Sequence, residues 1–332
     1  MLSRVANAVY WMCRYIERAE NTARFISVNL NLLLDMPLDQ HLQWEPMIAT
    51  TGDREAFELL HSGYSQEKVI HFLTFERTNP NSIISCLQAA RENARSVREV
   101  ISSEMWEQLN RFYIELKEAE HSGFAQNDPH KFFLMIKMRS HMFSGLLHST
   151  MTHGEAWHFA RMGLMLERAD KVSRILDVKY FMLLPKANAV GSPYDNIQWA
   201  AVLKSASAHD MYRKVFHRIA PVHVADFLIF NNEFPRSIRH AVDSAFESLR
   251  KITGSPHGAA RNGAERQLGK LLADLNYSDI HEVMETGLHE YLDALQARIN
   301  QIGLEIANAF FRPAPALAAT KQEQFSTKET TA

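Results

Sequence analysis

Two stretches of the chain set acidic and basic side chains at spacings that can do chemistry. Glu17, Glu20 and Arg24 stand at i, i+3 and i+7, and Glu167, Asp170 and Arg174 repeat the pattern later in the chain. On a helix such positions share a face. Arg18 and Arg168 directly follow the first glutamate of each set and lie on the opposite flank. Two such helices facing each other would line a polar cleft. There Arg18, Arg24, Arg168 and Arg174 can hold a carboxylate or phosphate by bidentate hydrogen bonds. Glu17, Glu20, Glu167 and Asp170 can bind a cation or amine, and Glu17 or Glu167 can serve as acid or base if the chain is an enzyme. A structural account competes with this one. Glu20 pairs with Arg24, Asp170 pairs with Arg174, and cross-helix pairs stitch the helices into a buried ion-pair lattice. Removing one partner from such a lattice costs about 3–5 kcal/mol. The two accounts are compatible.

A second charged cluster runs from Arg91 to Glu99, with Arg91, Arg95, Arg98 and Glu99 at helical spacing. It can form a basic edge to the cleft, or a solvated face laced by i,i+4 pairs. Ser103 is expected to cap the next helix, with Trp106 and Leu109 in the core. Phe234-Pro235-Arg236-Ser237-Ile238-Arg239 reads as another helix start, and Arg236 and Arg239 are candidates for function. Among 16 histidines, His158 forms a Glu-x-x-His pattern with Glu155. Di-iron bundles need that pattern twice, and Val5 and Ala8 occupy the matching places near the start of the chain. No metal centre is therefore expected. Thr253 to Gly258 is a plain interhelical loop, and no Gly-rich phosphate loop or Ser/Cys nucleophile motif is present.

The elements that must position these groups are helices. Val5, Val9, Met12, Ile16, Ala19, Ala23, Ile26, Leu30 and Leu33 recur at spacings of four and three, the stripe of a long bundle helix ending near Pro37. Similar patterns cover 81–120, 130–149, 154–184, 236–252, 262–275 and 279–311. Sustained period-two alternation is absent, so the class is all-α. Tyr15 to Arg24 matches Met165 to Arg174 at an offset of 150 residues. At an offset of 155, Trp44 aligns with Trp199, Pro80 and Ser82 with Pro235 and Ser237, and Glu92 and Arg95 with Glu247 and Arg250. His130 and Arg139 align with His289 and Arg298 at 159. Ordered matches with a slowly rising offset are what a tandem duplication with small insertions produces. The expectation is one helical bundle over 1–311, built from copies at about 1–150 and 151–311 around a pseudo-two-fold axis. Residues 312–332, rich in Pro, Ala, Thr, Lys and Glu, are expected to be a disordered tail.

Composition bounds the rest. The chain has 332 residues, 46% of them apolar, enough for a large core without staples. A formal net charge of −2 offers no general attraction to nucleic acid or anionic lipid, so neither is an expected partner. Only Cys13 and Cys86 occur, in no paired motif. That usage, with no signal peptide and no apolar run of membrane-spanning length, points to the cytoplasm.

Tyr10-Trp11-Met12 followed by Tyr15 to Arg24, including Asn21, resembles the signature of the bacterial Alpha-E domain family. The resemblance continues through Glu92-Asn93-Ala94-Arg95-Ser96-Val97-Arg98-Glu99 and Ser103-Glu104-Met105-Trp106-Glu107. It then takes in Gly163 with Glu167-Arg168-Ala169-Asp170, Trp199 with Leu203-Lys204-Ser205, and Phe234 to Ser237, spanning about 1–311. Asn7, Ala8 and Val9 depart from the family's usual stretch before the Tyr-Trp pair. The resemblance implies an all-helical fold and a setting beside, or fused to, a circularly permuted ATP-grasp ligase, with transglutaminase-like peptidases nearby. ATP and Mg would then belong to the ligase, and this chain would carry no cofactor. It implies a role in amide or peptide ligation, as an accessory partner or as a separate enzyme. The motif residues Arg18, Glu20, Asn21, Arg24, Asn93, Arg95, Arg98, Arg168, Asp170, Arg174 and Arg236 are the expected ligand-binding set.

Overall fold

The computed structural model describes residues 1–35, 40–183, 193–256 and 258–312. The expected tail from Pro313 onward lies outside the described residues. Sixteen α-helices and a terminal π-helical turn make up the regular structure among the described residues, and no strand forms there. The first half holds α1 (Ser3–Asp35), α2 (Gln40–Thr51), α3 (Arg54–Leu60), α4 (Gln66–Thr74), α5 (Ile83–Ser96), α6 (Ser103–Ser122), α7 (Phe124–Asn127) and α8 (Pro129–Thr150). The second holds α9 (Glu155–Leu183), α10 (Pro193–Ser205), α11 (His209–Val215), α12 (Pro221–Phe230), α13 (Ile238–Thr253), α14 (Gly263–Tyr277), α15 (Ile280–Thr286) and α16 (Leu288–Ile306).

The two longest helices, α1 and α9, form the axis of the molecule and pack on each other. Their apolar stripes are fully buried: Val9, Met12, Ala19, Ala23 and Ile26 on α1, and Ala160, Met162, Ala169, Val172 and Leu176 on α9. Glycine lets the backbones approach closely. A Cβ at Gly163 of α9 would stand 2.4 Å from the Tyr10 carbonyl oxygen of α1. Around this pair, α5 and α8 pack on α1, and α13 and α16 pack on α9. The short helices cross over: α2 packs on α9, and α10 on α1.

Two long periodic segments are broken where the stripe alone predicts continuity. The 81–120 stretch divides at Val97–Ser102, and the cap of α6 is Ser102 rather than Ser103, its hydroxyl accepting from the Met105 amide. Apolar periodicity persists across that break because Val97 and Ile101 are buried too. The 279–311 stretch divides at Gly287, whose φ of +98° no helix accommodates. Its last turn is π-helical, Ala307–Phe311, and sets Phe311 against Tyr10, ring centroids 5.2 Å apart. Ser237 caps α13 as the Phe-Pro-Arg-Ser sequence suggests.

Candidate functional site: the Glu/Arg centre between α1 and α9

The crossing of α1 and α9 buries four carboxylates. Glu17, Glu20 and Glu167 are at most 3% exposed and Asp170 is 5% exposed, a burial that ionised groups tolerate only when paired. Glu17 Oε1 and Oε2 accept from Arg168 Nε and Nη2 at 2.9 and 3.0 Å. Glu167 Oε1 and Oε2 accept from Arg18 Nε and Nη2 at 2.6 and 3.1 Å. Each Glu-Arg dipeptide thus gives its acid to the other helix's arginine and its arginine to the other helix's acid.

A second ring of donors completes each carboxylate. Arg236, delivered by the turn before α13, reaches Glu17 Oε1 at 3.2 Å and Glu20 Oε2 at 3.0 Å. Asn21 Nδ2 donates to Glu17 Oε1 at 3.0 Å. Arg24 and His141 Nε2 flank the other oxygen of Glu20. On the α9 side Arg14 Nε donates to Glu167 Oε2 at 2.8 Å, and Lys171 lies between Glu167 and Asp170, 3.7 and 3.3 Å away. Arg174 Nε donates to Asp170, and Arg18 Nη1 donates to Asn81 Oδ1 at 2.7 Å. The i,i+4 pairs Glu20–Arg24 and Asp170–Arg174 both form.

The electrostatics follow from this packing. Burial alone would raise the pKa of all four acids. The neighbouring cations outweigh it. Arg168 and then Arg236 hold Glu17 below its usual range, and Arg236, His141 and Arg24 hold Glu20 well below. Arg18 and Arg14 do the same for Glu167, and Lys171 and Arg174 for Asp170. Seven cationic side chains share the four carboxylates among the described residues: Arg14, Arg18, Arg24, Arg168, Lys171, Arg174 and Arg236. Cationic side chains therefore outnumber carboxylates in the centre.

Arg18, Glu20, Asn21, Arg24, Arg168, Asp170, Arg174 and Arg236 meet here with Glu17 and Glu167. Asn93, Arg95 and Arg98 do not. Arg95 is exposed and pairs with Glu92, Arg98 lies over the Trp106 ring at 5.1 Å, and the Asn93 carbonyl accepts from Ser96. Asn93 and Arg95 sit in the last turn of α5 and Arg98 just beyond it, whereas Arg18 bonds Asn81, which precedes α5. Arg239, also a candidate, bonds Asn276 Oδ1 instead. Arg14, Lys171, Asn81 and His141 are parts of the site that spacing did not single out. A signal existed for Asn81: at the offset of 155 it aligns with Arg236, between matched Pro and Ser residues.

Glu-Arg dipeptides such as the two just described are the motif named in the description of a known family. The family described as a predicted alpha-helical domain with a conserved ER motif, Alpha-E, matches residues 1–311. The chain belongs to the Alpha-E family. This Alpha-E chain is 22% identical over 326 residues to uncharacterized proteins of Mycobacterium bovis and of two strains of Mycobacterium tuberculosis. The match covers 92% of this chain and 36% of each relative, so the chain spans about a third of their length. No solved structure matches it. Among the described residues, no helix is long and apolar enough to cross a membrane, and no three His, Cys, Asp or Glu side chains gather as metal ligands.

Proposed function

We propose that this Alpha-E chain is a non-catalytic helical partner in an amide- or peptide-ligation pathway, holding a carboxylate- or peptide-like ligand with the surplus cations of its Glu/Arg centre. The observation that carries this is the state of the four acids. Each is buried, ionised and saturated by arginine, lysine or amide donors. A general base needs a proton affinity near the working pH. Glu17 or Glu167 would have to break a two-point ion pair before taking a proton, which counts against the reading of a stand-alone acid–base enzyme. The reading as a pure adaptor, with the lattice serving stability alone, leaves the excess of cations over carboxylates without a purpose.

The ligase partnership rests on family resemblance, with support from length: relatives of which this domain is about a third have room for a fused second module. ATP and Mg would be held by that ligase. A transglutaminase-like peptidase is a further candidate partner in the same pathway, which we place in the cytoplasm, away from nucleic acid and membranes.

The same reading includes a tandem duplication. Its support is the exchange between Glu17–Arg168 and Glu167–Arg18, together with the parallel packing of α5 and α8 on α1 and of α13 and α16 on α9. The crossing of α2 onto α9 and of α10 onto α1 fits a pseudo-two-fold axis through the α1–α9 contact.

The test is affinity purification of the tagged chain from a host that encodes it, with mass spectrometry of what co-elutes. Stoichiometric recovery of an ATP-grasp ligase is expected. Recovery of the chain alone, at native expression and low salt, would reject the partnership.

A further inference from the structure

The outer face of α8 carries more apolar surface than a helix of this bundle needs. Leu134, Met138 and Met142 are each at least 50% exposed, and their i, i+4 spacing sets them in one row. Met135 and Leu146, both partly buried, border that row. Met135, Met138, Met142 and Gly145 alternate at spacings of three and four, the seam along which one helix packs on another. The seam is open, since nothing lies within 4 Å of the place a Cβ would take at Gly145.

The architecture does not demand this row. On α16, 159 residues further along the chain, the same places are held by Asp293, Ala297 and Gln301, all exposed. Yet α16 packs on α9 as α8 packs on α1. A contiguous apolar row without a structural need marks an interaction surface.

The charges beside the row say what covers it. From Pro129 to Thr150 there is no acidic residue, whereas Lys131, Lys137, Arg139 and three histidines are present. Asp128 and Glu115 neutralise Lys131 and Arg139, and Glu20 faces His141. Lys137, one turn from Leu134 and His141 on the same flank, is different. Its ammonium is partly buried and donates to the Ser27 hydroxyl at 3.2 Å. Among the described residues no carboxylate lies within ion-pairing distance of it. Burial and the charge of Arg24 push its pKa below the ordinary lysine value, a state that an incoming carboxylate relieves. A second copy of the chain cannot supply one. Two α8 faces packed in either direction bring base against base, with no acid from either helix.

We infer that the outer face of α8 docks an amphipathic helix of a partner protein, with apolar side chains over Leu134, Met138 and Met142 and an acidic row against Lys137. Methionine suits such a surface, because its flexible side chain adapts to what it meets. This goes beyond the ligand reading above and does not depend on the ligase partnership.

The experiment uses the isolated full chain and a fluorescent helical peptide of about three heptads, with leucine at the seam positions and glutamate on both flanks. A matched peptide carries lysine on the flanks. Anisotropy titration should show saturable binding of the acidic peptide at about 1–100 μM, with the lysine peptide weaker by about tenfold or more. Met138→Glu, at an exposed position that leaves the core untouched, should weaken the acidic peptide by about tenfold or more. Lys137→Gln should weaken the acidic peptide and not the lysine peptide. Ala297→Glu, at the matching place on α16, should change neither. Thermal melts accompany the variants, and if Lys137→Gln fails to fold, the peptide pair and Met138→Glu carry the decision. No saturable binding of the acidic peptide up to about 1 mM would overturn the assignment. So would equal binding of the two peptides, or indifference to Met138→Glu. Sedimentation showing a wild-type dimer that Met138→Glu dissociates would overturn it in favour of a second copy. Flotation with phosphatidylserine vesicles that Met138→Glu abolishes would overturn it in favour of a membrane.

Discussion

Glu17 and Arg168 are joined by two hydrogen bonds of 2.9 and 3.0 Å, and the neighbours of each, Arg18 and Glu167, are joined the same way. The two helices are thereby clasped at one level by opposed two-point ion pairs in a water-poor contact. Breaking a buried pair strands a charge, so Glu17→Gln or Arg168→Met alone should cost about 3–5 kcal/mol. The double variant strands less charge than the two singles together. A double-mutant cycle in urea should return a coupling of about 0.5–3 kcal/mol. Additive losses would mean that the pair is not a unit.

The close approach of α1 and α9 makes Gly163 a packing requirement. A methyl group there collides with the Tyr10 carbonyl oxygen, a backbone atom that cannot swing aside. Gly163→Ala should therefore destabilise by about 1–3 kcal/mol through overpacking. Gly145, inside α8, has nothing within 4 Å of the place its Cβ would take. Gly145→Ala should stabilise by about 0.5–1 kcal/mol, since alanine loses less backbone freedom than glycine in a helix. Opposite signs in denaturant midpoints check the pair.

Much of this arrangement was legible in the residues because it is local. The stripe from Val5 to Leu30 fixes a helix, and the i, i+4 spacing fixes Glu20–Arg24 and Asp170–Arg174 before any tertiary contact is known. Which charges meet across helices is a matter of crossing angle and register, and one-dimensional spacing does not carry that. Arg14 sits next to Glu167 only because α1 and α9 cross near Gly163. His141 reaches Glu20 only because α8 lies along α1. The cluster Arg91–Glu99 shows the converse. Its charges have helical spacing and family resemblance, yet α5 carries Arg95 outward, and Arg98 lies exposed in the break that follows α5. The break at Val97–Ser102 was hidden because buried apolar residues continue through it.

Both cysteines are buried and unpaired. Burial raises the Cys13 thiol, helped by the charge of Glu17, and pushes Cys86 up to about 12. The thiolate is the reactive form, so neither should react with a disulfide reagent in the native state. Two thiols should appear on denaturation in urea. Fast native labelling of one of them would mean that α1 or α5 opens locally.

Acid should undo the centre in a predictable order of sign. Glu17, Glu20, Glu167 and Asp170 all have folded pKa values below their ordinary 4.5 and 3.8, because arginine and lysine outweigh burial. A depressed folded pKa means that the unfolded chain binds the proton first. The stabilisation is thus complete above the unfolded values and is lost as pH falls below about 4.5 toward the lower folded values. Asp177 works the other way, since burial raises it despite the hydrogen bond to His289. Its protonation favours the fold and partly offsets the loss. Urea midpoints should therefore show no dependence on these carboxylates near neutrality and a decline below about pH 4.5. Glu167→Gln, less stable at neutral pH, should show a shallower decline, because a carboxylate that Arg18 and Arg14 hold well below its ordinary range has been removed. An unchanged acid slope in that variant would place the acid sensitivity elsewhere than the α1–α9 contact.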